Sequence, residues 1–170
     1  ETTATGITWA LHRLSIHPDV LARVQAELDE RLGAAPIDPD RVRALPYLDA
    51  VCKETLRIHP VIPGIGRVLQ KPAVVGGHAL PAGVAVGCSI YLVHSDPDTW
   101  PDPERFDPTR FLDKKPTPYT YFPFGGGLRR CIGEAFALYE MRIVLATILR
   151  ELEPVAAVTR VREQRRNITI

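Results

Sequence analysis

Several features that mark common protein classes are scarce or missing in this sequence. Its 170 residues include three cysteines, Cys52, Cys88 and Cys131, which are widely spaced and form no Cys-x-x-Cys pair. This number and spacing argue against a disulfide framework and against a structural zinc site. A chain of this length also buries enough surface to fold without cross-links. The sequence therefore predicts a globular domain, or a large piece of one, from a reducing compartment.

An excess of charge and a long apolar run are missing as well. The 21 basic and 20 acidic residues leave a net charge of +1, whereas a general nucleic-acid-binding domain is usually strongly basic. We therefore expect no nucleic-acid partner. No apolar stretch of the sequence approaches the ~20 residues of a membrane-spanning helix. The opening ETTATG is typical of the interior of a helix, so any targeting segment would lie upstream. Membrane attachment is left open, and the cytoplasm is the default location.

Hydrophobic spacing predicts a mainly α-helical chain with one small antiparallel β-sheet, an α+β fold. Helices are expected over residues 1–16, from Pro18 to Gly33, over about 47–59 and over about 132–151. Short β-prone runs between residues 67 and 93, broken by GG and PAG, predict the sheet. The proline-rich residues 94–123 predict a long loop of the kind that is usually functional. The tail from Val155 is expected to form strands.

One cysteine stands in an unusual setting, FPFGGGLRRCIGEAF, residues 122–136. Glycines 125–127 permit backbone conformations that are closed to other residues, and Gly133 leaves room beside Cys131 for a flat, bulky group. Cys131 follows two arginines and precedes the positive end of a helix, which favours the thiolate. A stabilised thiolate suits a soft metal centre. The alternative is an ordinary buried cysteine in a loop.

The residues around Cys131 resemble the signature of the cytochrome P-450 family, the haem-thiolate monooxygenases. The family pattern Phe-Gly-x-Gly-x-Arg-x-Cys-x-Gly is matched at Phe124, Gly125, Gly127, Arg129, Cys131 and Gly133. The resemblance implies that residues 1–170 are the C-terminal, haem-proximal portion of a single catalytic domain whose N-terminal half is absent. It also implies haem b as the cofactor and Cys131 as the iron ligand. Phe124, Gly125, Arg129 and Gly133 would contact the cofactor.

Two further segments follow in the family's order. KETLR at residues 53–57 resembles the family's Glu-x-x-Arg motif, and PDPERFDPTRF at residues 101–111 resembles the loop before the cysteine. The resemblance implies a buried structural triad of Glu54, Arg57 and Arg105 that locks this loop under the haem. Breaking a buried charge pair costs ~3–5 kcal/mol. Without the resemblance, Glu54 and Arg57 are a commonplace pair three residues apart on a helix.

Three more residues receive roles from the resemblance. The opening ETT resembles the second half of the family's Ala-Gly-x-Glu-Thr motif, which implies that Glu1 and Thr2 relay protons to dioxygen. Their alternative is an ordinary helix terminus. Arg67, after the glycines of PGIGR, resembles a family arginine that pairs with a haem propionate, a role shared by Arg129. The alternative for Arg67 is a solvated strand residue. The histidines at positions 12, 17, 59, 78 and 94 are scattered, and none is expected to bind iron.

Together these resemblances imply an enzyme that inserts one oxygen atom from dioxygen into a C–H bond of a hydrophobic small molecule. A ferredoxin or a flavin reductase would donate the electrons at a positive patch of Lys114, Lys115 and Arg130. HSDPDTWPDPERF resembles the branch that contains many fatty-acid and lipid hydroxylases, but the substrate itself is left open. Two alternatives also stay open. One is a haem-thiolate isomerase, dehydratase or peroxide-using enzyme. The other is a haem-free, non-catalytic fragment that acts through protein contacts. Activity of this portion by itself is not expected.

Overall fold

The computed structural model describes residues 1–113, 115–159 and 161 of the chain. Six α-helices and four β-strands are present in this part. The helices are α1 (Thr2–Ile16), α2 (Pro18–Leu32), α3 (Pro39–Val42), α4 (Pro46–Ile58), α5 (Ile90–His94) and α6 (Glu134–Glu151). The strands are β1 (Gly64–Val68), β2 (Ala73–Val75), β3 (His78–Leu80) and β4 (Ala85–Ser89), and single 3-10 turns occur at Pro108–Phe111 and Gly127–Arg129. The predicted class, mainly α with a small β part, is confirmed.

Local sequence explains where the long helices begin and end. Pro18 opens α2, since proline in a first turn needs no hydrogen-bond donor. Gly33 ends the helix with φ +56°, and its N–H donates to the Asp29 carbonyl at 3.1 Å. α4 also opens on a proline, Pro46. No helix among the described residues has both the length and the apolar character needed to cross a membrane.

The core lies where α1, α2, α4 and α6 pack together. Each of these helices contributes buried leucines, among them Leu14, Leu28, Leu48 and Leu145. Each such side chain contributes roughly 1.5–3 kcal/mol through removal from water. Gly6 allows α1 to approach α6 closely, because a Cβ at this position would lie 3.3 Å from the Met141 side chain. The packing fixes the axis of α4, the helix that carries Glu54 and Arg57.

The β part differs from the prediction in two ways. The described residues contain two separate antiparallel pairs, β1 with β4 and β2 with β3, rather than one sheet. The second difference is that the predicted strand stops at Ser89 instead of continuing to Val93. The Ser89 hydroxyl accepts a hydrogen bond from the Leu92 N–H at 3.2 Å and so begins α5. This short helix turns His94 into the protein interior.

The remaining predictions concern loops and the tail. Residues 94–123 form a loop as expected, but it contains the 3-10 turn Pro108–Phe111. The strands predicted from Val155 onward are not present at residues 155–159 or at 161, and the other residues of that tail lie outside the described part. α3, a single turn between α2 and α4, was not predicted. It begins at Asp38, whose carboxylate accepts a hydrogen bond from the Asp40 N–H at 2.9 Å.

Candidate functional site

Cys131 lies between the 3-10 turn Gly127–Arg129 and α6, and its side chain is exposed. Its N–H donates to the Phe124 carbonyl at 3.0 Å, which closes the loop of residues 124–131. Gly125 and Gly127 within this loop have φ +73° and +64°. L-residues with a side chain rarely adopt this left-handed region. The two glycines of the signature therefore allow the chain to fold back and present the thiol.

The space beside the sulfur and beneath the loop also depends on glycine. A Cβ on Gly133 would lie 3.8 Å from Cys131 Sγ, so glycine keeps this side of the sulfur clear. A Cβ on Gly126 would lie only 3.0 Å from Cε1 of Tyr119. The pattern Phe-Gly-x-Gly allows any residue at the position of Gly126, whereas the Tyr119 ring restricts it here. Phe124 is half-buried and packs against the core, which anchors the start of the loop.

The surface around the thiol is apolar and open. Leu128 and Ile132 are 105% and 104% exposed, and Phe136 of α6 is also exposed. Among the described residues no group of three or more His, Cys, Asp or Glu side chains is placed to hold a metal ion. A metal at Cys131 would therefore have to bring most of its own ligands, as haem iron does in its porphyrin. A single thiol beside exposed apolar side chains therefore fits a haem group.

The two arginines predicted at haem propionates are both accessible. Arg67 lies on β1, opposite Val86 of β4, and its Nη1 donates to the Gly66 carbonyl at 2.7 Å. Arg129 ends the 3-10 turn and is exposed. Both side chains are exposed, and a guanidinium group is well suited to bind a carboxylate. Their contact with a propionate stays a prediction.

Glu1 and Thr2 stand at the start of α1, and both are exposed. The Glu1 carbonyl accepts the Thr5 N–H at 3.0 Å and the Thr5 hydroxyl at 3.1 Å, so the helix begins at this point. The structure gives these two residues a position on the helix and no test of proton relay. Their catalytic role stays a prediction.

Glu54 and Arg57 form a two-point ion pair inside the protein. Arg57 Nε donates to Glu54 Oε2 at 2.7 Å, and Arg57 Nη2 donates to Oε1 at 2.8 Å. Both side chains are 0% exposed. Burial raises the pKa of Glu54, and the hydrogen bond and charge of Arg57 oppose that rise. The pair is buried and specific, unlike an exposed pair at the same helical spacing.

The prediction that Arg105 completes this triad is wrong. The Arg105 side chain is exposed, and only its backbone carbonyl faces Arg57, at 3.4 Å from Nη2. Arg110 stands in the predicted place: it is 13% exposed, and its Nε lies 3.5 Å from Glu54 Oε1. The reason is that Pro108–Phe111 forms the 3-10 turn that packs on α4, where the Asp107 N–H donates to Glu54 Oε1 at 3.0 Å.

The signal for Arg110 was present in the sequence. Pro-x-Arg-Phe occurs twice, as PERF at residues 103–106 and as PTRF at residues 108–111. Local sequence does not say which copy faces α4. In the structure the second copy packs on α4 as a 3-10 turn, which begins at Asp107, whose side chain accepts the Thr109 N–H at 3.1 Å. Burial raises the pKa of Asp107 but the hydrogen bonds from Thr109 outweigh it, so the pKa is lowered overall.

His94 is a second residue of the site that sequence reasoning missed. It is fully buried, and its ring nitrogens lie 3.2 Å from the Arg57 carbonyl and 2.9 Å from the Phe122 backbone nitrogen. The Arg57 guanidinium in turn donates to the His94 carbonyl at 2.8 Å. His94 therefore connects the buried ion pair to the segment that leads to Cys131. Burial lowers the pKa of His94 to about 4.

The expected positive patch is only partly described. Lys115 is exposed, and Lys114 lies outside the described residues. Arg130 is exposed, but both its Nε and its Nη2 donate to the Glu134 carboxylate, at 2.6 and 2.7 Å. Glu134 is the first residue of α6, so this ion pair spans Cys131. The paired carboxylate reduces the positive field that Arg130 offers to a partner.

The sequence is similar to known proteins along almost its whole length. The family model described as Cytochrome P450 matches residues 1–166. The protein named "Putative cytochrome P450 135B1" of Mycobacterium tuberculosis is 50% identical over 153 residues, which are 90% of this chain and 31% of that protein. The taurochenodeoxycholic 6 alpha-hydroxylase of Sus scrofa is 42% identical over 159 residues, 91% of this chain and 32% of its own. The chain thus spans about a third of the length of these relatives.

Proposed function

Because this chain belongs to the cytochrome P450 family, we propose that it forms the thiolate side of a haem site in a monooxygenase. Cys131 is the proximal iron ligand in this proposal. The observation that carries it is the exposed Cys131 side chain, presented by a loop whose left-handed positions are glycines of the family signature. Since the chain spans about a third of the length of its relatives, the reaction belongs to the natural protein that carries this chain, and residues 1–170 are the C-terminal portion of its catalytic domain.

Each residue of the site has a distinct task in this proposal. Haem b, when bound, supplies the activation of dioxygen, and a thiolate ligand favours O–O cleavage. Arg67 and Arg129 bind the propionate carboxylates as charge-assisted donors. Phe124, Gly125 and Gly133 shape the surface against which the cofactor lies. Glu1 and Thr2 deliver protons to dioxygen.

The buried Glu54–Arg57 pair has a structural task. With Arg110 it holds the loop of residues 103–110 against α4, because Arg57 Nη2 also donates to the Pro103 carbonyl at 2.8 Å. Phe111, at the end of the same 3-10 turn, packs edge-on against the Tyr121 ring at 4.9 Å, shortly before the cysteine loop. A thiol that is held in place loses less freedom on binding iron, so pre-ordering of the loop favours ligation.

The substrate in this proposal is a hydrophobic small molecule, and dioxygen is the second substrate. The residues after α4, Val61, Ile62 and Ile65, are buried or half-buried apolar side chains near the strand that carries Arg67. One relative carries the name taurochenodeoxycholic 6 alpha-hydroxylase. A ferredoxin or a flavin reductase supplies electrons. A cytoplasmic location stays a prediction.

The test is the absorption spectrum of the reduced, carbon-monoxide-bound natural protein. We expect a red-shifted Soret band in the wild type and in Cys88→Ala, and its loss in Cys131→Ala. Cys88 is the matched control because it is the other exposed cysteine of the chain. A red-shifted band that survives in Cys131→Ala would contradict the assignment of the ligand.

The same preparation separates the alternatives. A wild-type protein that binds no haem would favour the alternative of a haem-free, non-catalytic fragment. Haem-thiolate binding with product formation from peroxide, but none from dioxygen and an electron donor, would favour the peroxide-using enzymes. Substitution of Thr2 by Ala tests the proton relay, since it should slow oxygenation with dioxygen and leave turnover with peroxide largely unchanged.

A further inference from the structure

We propose that His94 is a positioning residue for the iron ligand: its neutral imidazole holds the Phe122 N–H and thereby sets the segment that presents Cys131. This inference rests on the proposed function only in taking Cys131 as the ligand. The histidine is 37 residues away from both that cysteine and Arg57 in the sequence, so its link to each of them is a product of the fold.

The hydrogen bonds determine the tautomer of the ring. The Phe122 backbone nitrogen carries a hydrogen and can only donate, and it lies 2.9 Å from His94 Nε2. Nε2 must therefore be an unprotonated acceptor. The hydrogen of the neutral ring then sits on Nδ1, which faces the Arg57 carbonyl at 3.2 Å and donates to it. Both nitrogens of this buried ring are used, and each bonds to a different segment of backbone.

The link to α4 runs in both directions. His94 Nδ1 donates to the Arg57 carbonyl, and Arg57 Nη1 donates to the His94 carbonyl at 2.8 Å. Arg57 is itself fixed by its two bonds to Glu54. The ring of His94 is thus attached to a buried hydrogen-bond network, and its Nε2 extends that network to the cysteine segment.

Hydrogen bonds continue from Phe122 to the cysteine. The Phe122 carbonyl accepts the Gly125 N–H at 2.8 Å, and the Phe124 carbonyl accepts the Cys131 N–H at 3.0 Å. The residues just before Phe122 are held as well, because Tyr121 Oη donates to the Lys53 carbonyl at 3.0 Å. Displacement of Phe122 would therefore move the backbone turn from which Cys131 projects.

The groups that face His94 keep its ring neutral. Arg57 of α4 is the nearest charge, with Glu54 and Arg110 behind it. From the loop, the Tyr121 ring stacks on His94 at 5.3 Å and the Phe122 ring meets it edge-on at 5.5 Å. Burial and the Arg57 charge both disfavour a protonated imidazole, although the hydrogen bond to the Arg57 carbonyl favours it.

Protonation would break the link to the loop. A hydrogen on Nε2 would point at the Phe122 N–H, so two donors would face each other in a buried place. Because the folded pKa of His94, about 4, lies below the usual value of 6.5, the loop stays attached at neutral pH. It is released as the pH falls toward 4.

Two variants separate the two bonds of the ring. The amide of Asn reaches the position of Nδ1, so His94→Asn keeps a donor for the Arg57 carbonyl and loses the acceptor for Phe122. The amide of Gln reaches the position of Nε2, so His94→Gln keeps the acceptor for Phe122 and loses the donor for Arg57. Each variant removes one hydrogen bond, and neither side chain titrates. A merely structural role predicts similar effects from both.

Two measurements on the natural protein test the proposal. The first is the red-shifted Soret band of the reduced, carbon-monoxide-bound protein between neutral and acid pH, with far-ultraviolet circular dichroism to monitor global unfolding. We expect His94→Asn to lose part of this band already at neutral pH. We expect His94→Gln to keep it, with its acid loss shifted to lower pH than in the wild type. If the two variants behave alike, or if His94→Gln loses the band at the wild-type pH, the proposal is overturned.

The second measurement needs no haem and no turnover. Amide hydrogen exchange of peptides covering residues 122–131 should be faster by about tenfold in His94→Asn, the effect of one lost buried hydrogen bond, and close to wild type in His94→Gln. Equal exchange in the two variants would contradict the proposal even if no haem-thiolate spectrum were obtained. A wild type without that spectrum would instead overturn the function proposed for Cys131. If His94→Asn does not fold, the acid shift of His94→Gln decides.

Discussion

Arg110 Nε lies 3.5 Å from Glu54 Oε1 inside the protein, whereas the Arg105 side chain, five residues earlier, points to solvent. The buried carboxylate thus has a second arginine besides Arg57, contributed by the second of two Pro-x-Arg-Phe segments. The contact is electrostatic, since Arg110 Nε makes no hydrogen bond there. Arg110 Nη2 donates to the Asp102 carbonyl at 3.1 Å, so the same side chain also ties the loop together.

We expect Arg110→Ala to lower the free energy of unfolding by about 1–3 kcal/mol, because it removes a buried countercharge and leaves the Asp102 carbonyl without its donor. Arg105→Ala is the matched control. Its side chain is exposed, so the change should stay within about 0.5 kcal/mol. Denaturant unfolding of both variants provides the comparison. A larger loss in Arg105→Ala would restore the original assignment of the triad.

Arg57→Ala should be more damaging, because it leaves Glu54 buried with a weaker partner. We expect a loss of about 3–5 kcal/mol near neutral pH. Without Arg57, the effect of burial dominates and the pKa of Glu54 lies further above its usual value. The folded variant then holds a proton that the unfolded chain releases. Its stability should therefore fall as the pH rises from about 5 to 8, by the linkage of proton binding to folding. If the stability of Arg57→Ala does not vary over this pH range, Glu54 is not buried and uncompensated in the variant.

Glu27 of α2 supports the beginning of α4, the helix that carries the ion pair. Its carboxylate oxygens accept the Tyr47 and Leu48 N–H groups at 2.8 and 2.9 Å. These donors are left over by the first turn of a helix, and a negative charge there is favourable. We expect Glu27→Ala to destabilise the protein by about 1–2 kcal/mol, as other lost helix caps do. Glu30→Ala is the control, because Glu30 is on the same helix and is exposed. An equal shift of the midpoint temperature of thermal unfolding in both variants would rule out the capping role of Glu27.

The long helices and the cysteine loop could be predicted because their signals are local. Pro18 and Gly33 bracket α2 at the positions where proline and glycine are favoured, and the structure has this helix within one residue of the prediction. The glycines beside Cys131 could be identified for the same reason, since left-handed backbone at Gly125 and Gly127 favours glycine wherever the loop lies. In both cases the residue type alone indicates the local backbone conformation.

Other parts depended on contacts between distant residues. Nothing near His94 in the sequence shows that its ring meets Arg57 and Phe122, so it looked like any scattered histidine. Arg105 and Arg110 have the same local pattern, and only packing of the 3-10 turn on α4 distinguishes them. The continuation of β4 past Ser89 was predicted from β-prone residues. A serine hydroxyl that caps the next turn overrode that propensity.

The protein should become less stable on mild acidification because two histidines are buried in the neutral form. Burial lowers the pKa of His59 to about 3 and that of His94 to about 4. In the unfolded chain both take up a proton near pH 6.5. Between that pH and the folded pKa the unfolded state binds more protons, so stability falls as the pH falls. For His94 alone the loss reaches roughly 3 kcal/mol at pH 4, from 1.36 kcal/mol per pKa unit.

Denaturant unfolding of the wild type and of His94→Gln from pH 7 to 4 measures how steeply the free energy of unfolding falls with pH. This slope should be shallower in His94→Gln. His78→Gln, at an exposed position of β3, is the control and should keep the wild-type slope. If the slope of His94→Gln also equals that of the wild type, His94 is not the titrating group.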